Sequence, residues 1–422
     1  MYQCMRIITI VQYGSGHSEM GDMDGDVPLS VWNGKMSEKV GELLLTGWYT
    51  GGTLSVFYLR RSFFMKKTLM AILIIMLIGS FASFAQSEEE AADDGVLKIG
   101  ISIGTLKQER WQREIEMFEA YGKANGVEIL VQSAEDDPSK QVAQCENLLS
   151  QGIDVLIVQA LDSEAVGTVV EPAHAEGVPV IAYDRLVRNG DLDYYITFDS
   201  VKVGEVQAQF VVEQAPTGNY IWLKGGPEDF NAHLVYSGHK NVLQPYIDRG
   251  DINIVLEQWC KGWSPEEALK HTENGLTLAG NNVQAVIASN DGTAGGAIQA
   301  LGAQGLAGKV PIAGQDADIA ACQRIVEGLQ TGTVYKPLAK LNEAAMQVAI
   351  ALAKGQDPMD VVDPVLGVWT KLDNGTKMVD SFSVDVVAVD KDNMVDIIIK
   401  DGFHALEDVY KNVPKSEWPA VD

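Results

Sequence analysis

The sequence predicts an α/β protein of two lobes, each a doubly wound parallel sheet, joined by a multi-strand hinge with a ligand cleft between them. Three observations predict this. From Val96 onward, short runs of branched apolar residues alternate with amphipathic stretches of helical period across short loops, the pattern of a parallel sheet with right-handed crossovers. The series then starts again near Asn219 and runs to Gly328, which asks for a second sheet. Finally, three apolar runs end abruptly in polar side chains: VPVIAYDR in Asp184 and Arg185, VQAVIASND in Asn290 and Asp291, and VPIAGQDAD in Asp316. Polar groups at the carboxyl ends of such strands lie where open α/β sheets bind ligands.

Taken in order, VLKIGISI is a strand and Gln108–Asn125 an amphipathic helix with Trp111, Ile115, Phe118 and Tyr121 near helical spacing. VEILVQS, VLIV and VPVIAYD are further strands, separated by helices over Ser139–Gln151 and Glu164–Glu176, and YYITFD adds another. These apolar runs lack strict alternation because both faces of a parallel sheet are covered. A helix over Val203–Gln214 leads to the second series: NYIWLKGG, a helix around His233–Tyr246, INIVLEQW, a helix Pro265–Leu278, VQAVIAS, a helix Thr293–Gly305, VPIAG and a helix Ile319–Gly328. The boundary falls near Asp199–Val203, and TGTVYKP, ending at Pro337, crosses back into a long helix, Leu338–Lys354. The first lobe is then 96–200 plus 337–362, the second 201–336 plus 363–404, with a short amphipathic tail over 405–422.

A chain of 422 residues has room for two cores. Its 46% hydrophobic and 21% charged residues are globular values. A formal charge of −26 argues against nucleic acid, whose phosphates it repels. The segment that decides compartment is Met65–Ala85: Lys66 and Lys67, the apolar run TLMAILIIMLIGSF, then Ser83-Phe84-Ala85 as a small-residue cleavage site. That is a complete secretory signal peptide, placing the mature chain in the periplasm or cell exterior. No Cys follows it to take a lipid, and an uncleaved anchor is the alternative to cleavage. Residues 1–64 show no sustained period and read as an unstructured extension or a start-site error, with translation beginning at Met65. The first 85 residues hold seven basic and six acidic side chains, so the mature chain is as acidic as the whole.

The chemistry offered by the strand and loop ends is that of a polar, uncharged ligand. Asp184, Arg185, Asn290, Asp316 and Asn231 supply carboxylates that accept, amides that do both, and a forked donor. Asp and Asn also cap helices, which is the alternative reading of each position. A sugar, whose hydroxyls both donate and accept, suits the set. Trp111, at the first loop–helix junction, and Trp263, in the loop KGWSPEE, can cover the C–H faces of a pyranose. Enzyme readings lack their motifs: no GxGxxG, no P-loop, no HExxH and no GxSxG stands in the sequence. Asp184 and Asp316 as a glycosidase pair would need one raised carboxyl, which Arg185 and Lys336 oppose. The six histidines form no ligand-spaced pair and are read as surface or loop residues, and GDMDGD lacks the Glu of a calcium loop. Cys145 and Cys322 fall in helical patterns as buried thiols. No cofactor and no metal is expected.

ERWQ, VQSAEDD, AYDRL, YYITFD, GNYIWLKGG, ASNDGTAGGAIQALGAQGLAGKV, GQDAD, TVYKP and IIKDGFH together resemble the periplasmic D-xylose-binding proteins of bacterial ABC transporters. The resemblance runs from about Val96 to His404. It implies two Rossmann-like lobes that close over a sugar and present it to a membrane permease, as a monomer and without chemistry. It implies sugar contacts at Arg110 and Trp111 in ERWQ, Asp184 and Arg185 in AYDR, Asn231 in PEDFNA, Trp263 in KGW, Asn290 in SND, Asp316 in GQDAD and Lys336 in VYKP. Arg110 and Lys336 come from the resemblance alone. Gly104-Thr105 and Phe230 depart from the family pattern beside the cleft. The same core also serves sugar sensors, for pentoses or hexoses. A repressor of that type would carry a helix-turn-helix where the signal peptide stands.

Overall fold

The computed structural model describes residues 47–50, 53–56 and 95–420. The signal peptide expected at 65–85, the GDMDGD patch and Cys4 lie outside the described residues. Strands β1 (Gly47–Thr50) and β2 (Thr53–Val56) pair antiparallel as a hairpin in a unit of their own. Among the described residues no helix is long and apolar enough to cross a membrane.

The unit Ala91–Asp422 holds both lobes. The first is built on strands β3 (Lys98–Ile103), β4 (Glu128–Ser133), β5 (Val155–Gln159), β6 (Val180–Tyr183) and β7 (Tyr194–Phe198), with helices α1 (Glu109–Asn125), α2 (Pro138–Ser150) and α3 (Val170–Ala175). In the second, α4 (Ser200–Gln214), β8 (Gly218–Lys224), α5 (Phe230–Asp248), β9 (Ile252–Trp259), α6 (Pro265–Leu278), β10 (Ala285–Ile287), α7 (Asp291–Ala303), β11 (Ile312–Ala313) and α8 (Ile319–Val326) follow. Then come β12 (Thr333–Tyr335), α9 (Leu338–Ala353), β13 (Val368–Asp373), β14 (Met378–Val384) and β15 (Val387–Val389).

The first sheet has the order β13-β14-β7-β6-β5-β3-β4, and the second β11-β10-β8-β9. In each, the chain starts in the middle and builds outward to both sides, so the carboxyl ends of β3 and β8 open onto a switch point of the strand order. Both sheets are covered on both faces. Ile99, Ile101 and Ile103 of β3 are fully buried against α1 and α9, and Leu156 and Val158 of β5 against α2. Val286 and Ile312 pack against α6 and α7, Tyr220 and Trp222 against α4 and α5.

Three expectations need correction. Residues 363–404 do not all belong to the second lobe: β14 pairs parallel with β7, and β13 pairs antiparallel with β14, extending the first sheet. The chain therefore crosses between lobes a third time, over 384–387, before β15 pairs with β12. The amphipathic tail expected over 405–422 is not separate from the second lobe, since Val409 and Tyr410 are buried with Cys322 and Ile325 of α8. And two histidines are interior. His239 is fully buried, accepting from Trp222 Nε1 at 3.2 Å and meeting Gln207 Oε1 at 2.8 Å. His404 lies 2.8 Å from the Ala317 carbonyl oxygen. Cys145, Cys260 and Cys322 are buried free thiols.

Candidate functional site

All nine side chains singled out above line one cavity of about 30 Å³ between the lobes. Each arrives by a short route from a strand end. After β3, Gly104 lets the loop pass so close to Leu161 that a Cβ would stand 2.6 Å from its backbone nitrogen. The loop then opens α1, whose first turn points Arg110 and Trp111 into the cavity, 4% and 2% exposed.

Asp184 and Asp316 follow β6 and β11 in left-handed backbone conformations, with φ of 59° and 93°. That conformation costs a non-glycine residue on the order of 1–2 kcal/mol and persists only when the surroundings enforce it. At Asp184 the enforcement is visible. Its carbonyl oxygen accepts from Tyr195 Oη at 2.7 Å, Thr197 Oγ1 at 2.9 Å and Asn231 Nδ2 at 2.7 Å, the last from the second lobe. Each kink turns a carboxylate off its strand and into the cavity.

The charges interlock. Arg110 places Nε 2.6 Å from Glu114 Oε1, Nη2 2.9 Å from Asp184 Oδ2 and Nη1 3.5 Å from Asp316 Oδ1. The Nη2 contact is an ion pair without the alignment of a hydrogen bond. Lys336 Nζ stands 3.2 Å from the same Asp316 oxygen. Burial alone would push the Asp184 carboxyl up, but Arg110, Lys336 and Arg185, in that order, hold it below the usual carboxylate range. Burial would likewise lower the Arg110 guanidinium, and Asp184, Glu114 and Asp316 together hold it well above its ordinary value. A general acid for glycoside cleavage needs the opposite shift at Asp184.

Arg185, expected as a sugar contact, makes its ion pair with Asp229, Nε to Oδ2 at 2.8 Å. Asp229 escaped the sequence reading. It caps α5, accepting from Asn231 N at 2.9 Å, and also accepts from Trp263 Nε1 at 3.2 Å. Burial pushes its carboxyl up against the pull of Arg185. Asn290 is a helix cap as well as a cavity residue: its Oδ1 accepts from Thr293 N at 2.9 Å in a capping box, which leaves the amide nitrogen uncommitted by the cap. Asn231 spends its amide on Asp184 and Tyr195, so it bridges the lobes.

The two indoles are fixed by their own N–H groups. Trp111 donates to Gln108 Oε1 at 2.6 Å, with the Arg110 and Arg185 guanidinium carbons 4.3 and 5.4 Å from its ring centroid. Trp263 has φ of 57° and packs against Gly225, where a Cβ would meet its ring at 2.6 Å. Five polar residues at the site were missed: Asp229, Gln108, Gln315 and Ser200 line the cavity, and Glu114 stands behind Arg110. Glu114, four residues after Arg110, and Gln108, three before Trp111, stand at helical contact spacing and were legible. Gln315 carries the more telling signal. Its Nε2 donates to Ser289 O at 2.7 Å, while its buried Oε1 has no hydrogen-bond partner. A buried acceptor left open beside a polar cavity is one that a donor from a ligand can satisfy.

A model of the periplasmic binding protein domain matches residues 99–357. The D-xylose-binding periplasmic protein of Haemophilus influenzae is 46% identical over 337 residues, 80% of this chain and 98% of the relative. The D-xylose-binding periplasmic protein of Escherichia coli K12 is 43% identical over 339 residues, with the same coverage. Among solved structures, a carbohydrate transporter solute-binding protein from Chloroflexus aurantiacus in complex with D-glucose superposes with a TM-score of 0.68 at 32% identity, covering 74% of this chain and 98% of that one.

Proposed function

The chain belongs to the family of periplasmic binding protein domains, and from that premise we propose that it captures D-xylose between its lobes and delivers the sugar to the permease of an ABC transporter. It works in the periplasm, as a monomer, and performs no chemistry. Asp184, Asp316 and the free amide nitrogen of Asn290 hold hydroxyls. Arg110, Arg185 and Lys336 donate to the sugar and balance the acids, while Trp111 and Trp263 cover the two faces of the ring. Asn231 and Asp229 hold the lobes in register around it.

The observation that carries this reading is the convergence of charged, amide and indole groups from both lobes on one buried cavity, with the Gln315 acceptor open. A ligand drives closure only through differential affinity for the closed state, and contacts to both lobes supply it. Calorimetric titration with D-xylose, D-ribose, L-arabinose and D-glucose tests the proposal. D-xylose should bind tightest, near micromolar, which corresponds to about 8 kcal/mol. Absence of heat with every sugar, or a tenfold preference for another, would overturn it.

A further inference from the structure

On the rim of the interlobe boundary, the loop between β8 and α5 reaches over to the first lobe and grips it. Ser163 N donates to the Glu228 carbonyl oxygen at 3.0 Å, and Phe230 N donates to Ser163 Oγ at 3.0 Å. The ring of Phe230 packs against the first lobe's hydrophobic cluster, which includes Ala160, Leu186 and Val187. The Arg188 guanidinium carbon lies 4.5 Å from the ring's centroid, and His233 of the same helix stacks on the ring at 5.9 Å between centroids. Arg188 is in turn tied to the same platform, its N donating to Ser163 O at 2.7 Å and its Nη1 to Glu164 at 3.4 Å. None of Ser163, Arg188, Glu228 or Phe230 lines the sugar cavity.

We propose that Glu228–Phe230 is a closing latch, with Phe230 as its bolt and the Ser163–Arg188 platform as its seat. The proposal rests on the sugar-binding reading and deepens it. Phe230 is half-buried, and an apolar ring inserted across a boundary that opens loses that cover in the open state, so its partial burial favours closure with no ligand atom involved. The two backbone-linked hydrogen bonds fix the direction from which it enters. Phe230 also sits between Asp229 and Asn231, both of which reach across to the first lobe. Seating the ring therefore brings those two into register. A contact of this kind changes the closed fraction, and the apparent affinity for every ligand follows that fraction by one common factor.

Wild type and the variants Phe230→Ala, Phe230→Leu and Ser163→Ala are titrated with the same sugar panel, and dissociation rates are read by stopped-flow fluorescence. Phe230→Ala should raise every measurable Kd by about tenfold, through faster dissociation, with the ratio between sugars unchanged. Phe230→Leu should recover most of the loss, and Ser163→Ala should show a smaller loss of the same pattern. Should Phe230→Ala fail to fold, Ser163→Ala carries the test alone. Variants matching a wild type that binds sugar would overturn the latch, as would a change in the ratio between sugars, which would place Phe230 in the selectivity of the cavity. A wild type that binds none of the panel would instead overturn the sugar reading.

Discussion

Arg185 Nε and Asp229 Oδ2 stand 2.8 Å apart across the boundary between the lobes, with side chains only 5% and 2% exposed. Two opposite charges removed from water together are tolerable, but one alone is not. Opening the lobes separates them into solvent, whereas deleting one partner strands the other inside the closed form.

Asp229→Ala should therefore weaken D-xylose binding severely, by roughly two to four orders of magnitude, since breaking a buried pair costs roughly 3–5 kcal/mol and each 1.4 kcal/mol is about tenfold. Asp229→Asn, whose single amide oxygen can still accept from one of the two donors Trp263 Nε1 and Asn231 N, should lose less. Calorimetric titration of both variants ranks them, and equal affinities would contradict the charge argument.

Glu114 never faces the sugar, yet it holds Arg110 from behind at 2.6 Å, fully buried. Burial pushes its carboxyl up and Arg110 opposes the shift. Glu114→Gln should loosen the guanidinium that spans Asp184 and Asp316 and raise the Kd by about tenfold or more, since a charged hydrogen bond contributes roughly 1.5–3 kcal/mol. The test is a Kd and a melting curve together, and a lowered melting temperature with an unchanged Kd would refute the positioning role.

Gly225 leaves room for Trp263. A Cβ there would stand 2.6 Å from the indole and 2.8 Å from Ala232 Cβ. Overpacking of this kind costs about 1–3 kcal/mol, and the ring has no slack because its N–H is committed to Asp229. Gly225→Ala should reduce affinity about tenfold and alter the intrinsic fluorescence change on binding. An unaltered fluorescence response would show that the indole had not moved.

His239 is buried without a charged partner, and burial lowers its imidazole to about 3. In the unfolded chain it titrates near 6.5. The folded state therefore gains a stability contribution that is whole above pH 6.5. It is lost progressively as the pH falls toward 3, at up to about 1.4 kcal/mol per unit. Melting curves between pH 7.5 and 5 should show His239→Gln losing less stability on acidification than wild type, because Gln can still accept from Trp222 and donate to Gln207. Parallel curves would sink the assignment.

Much of this architecture was legible in the chain because parallel strands bury both faces and so read as short unbroken apolar runs. VPVIAYDR could be placed, and the polar residues after it located, from pattern alone. The fate of 363–404 was hidden, since β13 and β14 look like any late strands and only pairing with β7 reveals which sheet they extend. His239 was misjudged because its two partners, Trp222 and Gln207, lie 17 and 32 residues away. Asp229 was passed over because a helix-capping role accounts for an Asp at that position, and nothing local shows that Arg185 waits opposite. Phe230 did stand out, as a departure from the family pattern beside the cleft, but its seat on the other lobe is a matter of tertiary contact.

The three crossings, near 200, 336 and 385, have a mechanical consequence. One connection is a swivel and two leave a twist, but three side by side act as the spine of a book. The covers can swing about that spine and can scarcely slide or turn against each other, so a single angle describes how far the protein has shut. Lengthening any one strip of the spine by a residue would skew the covers, and the indole, guanidinium and carboxylate groups on facing pages would then meet out of line.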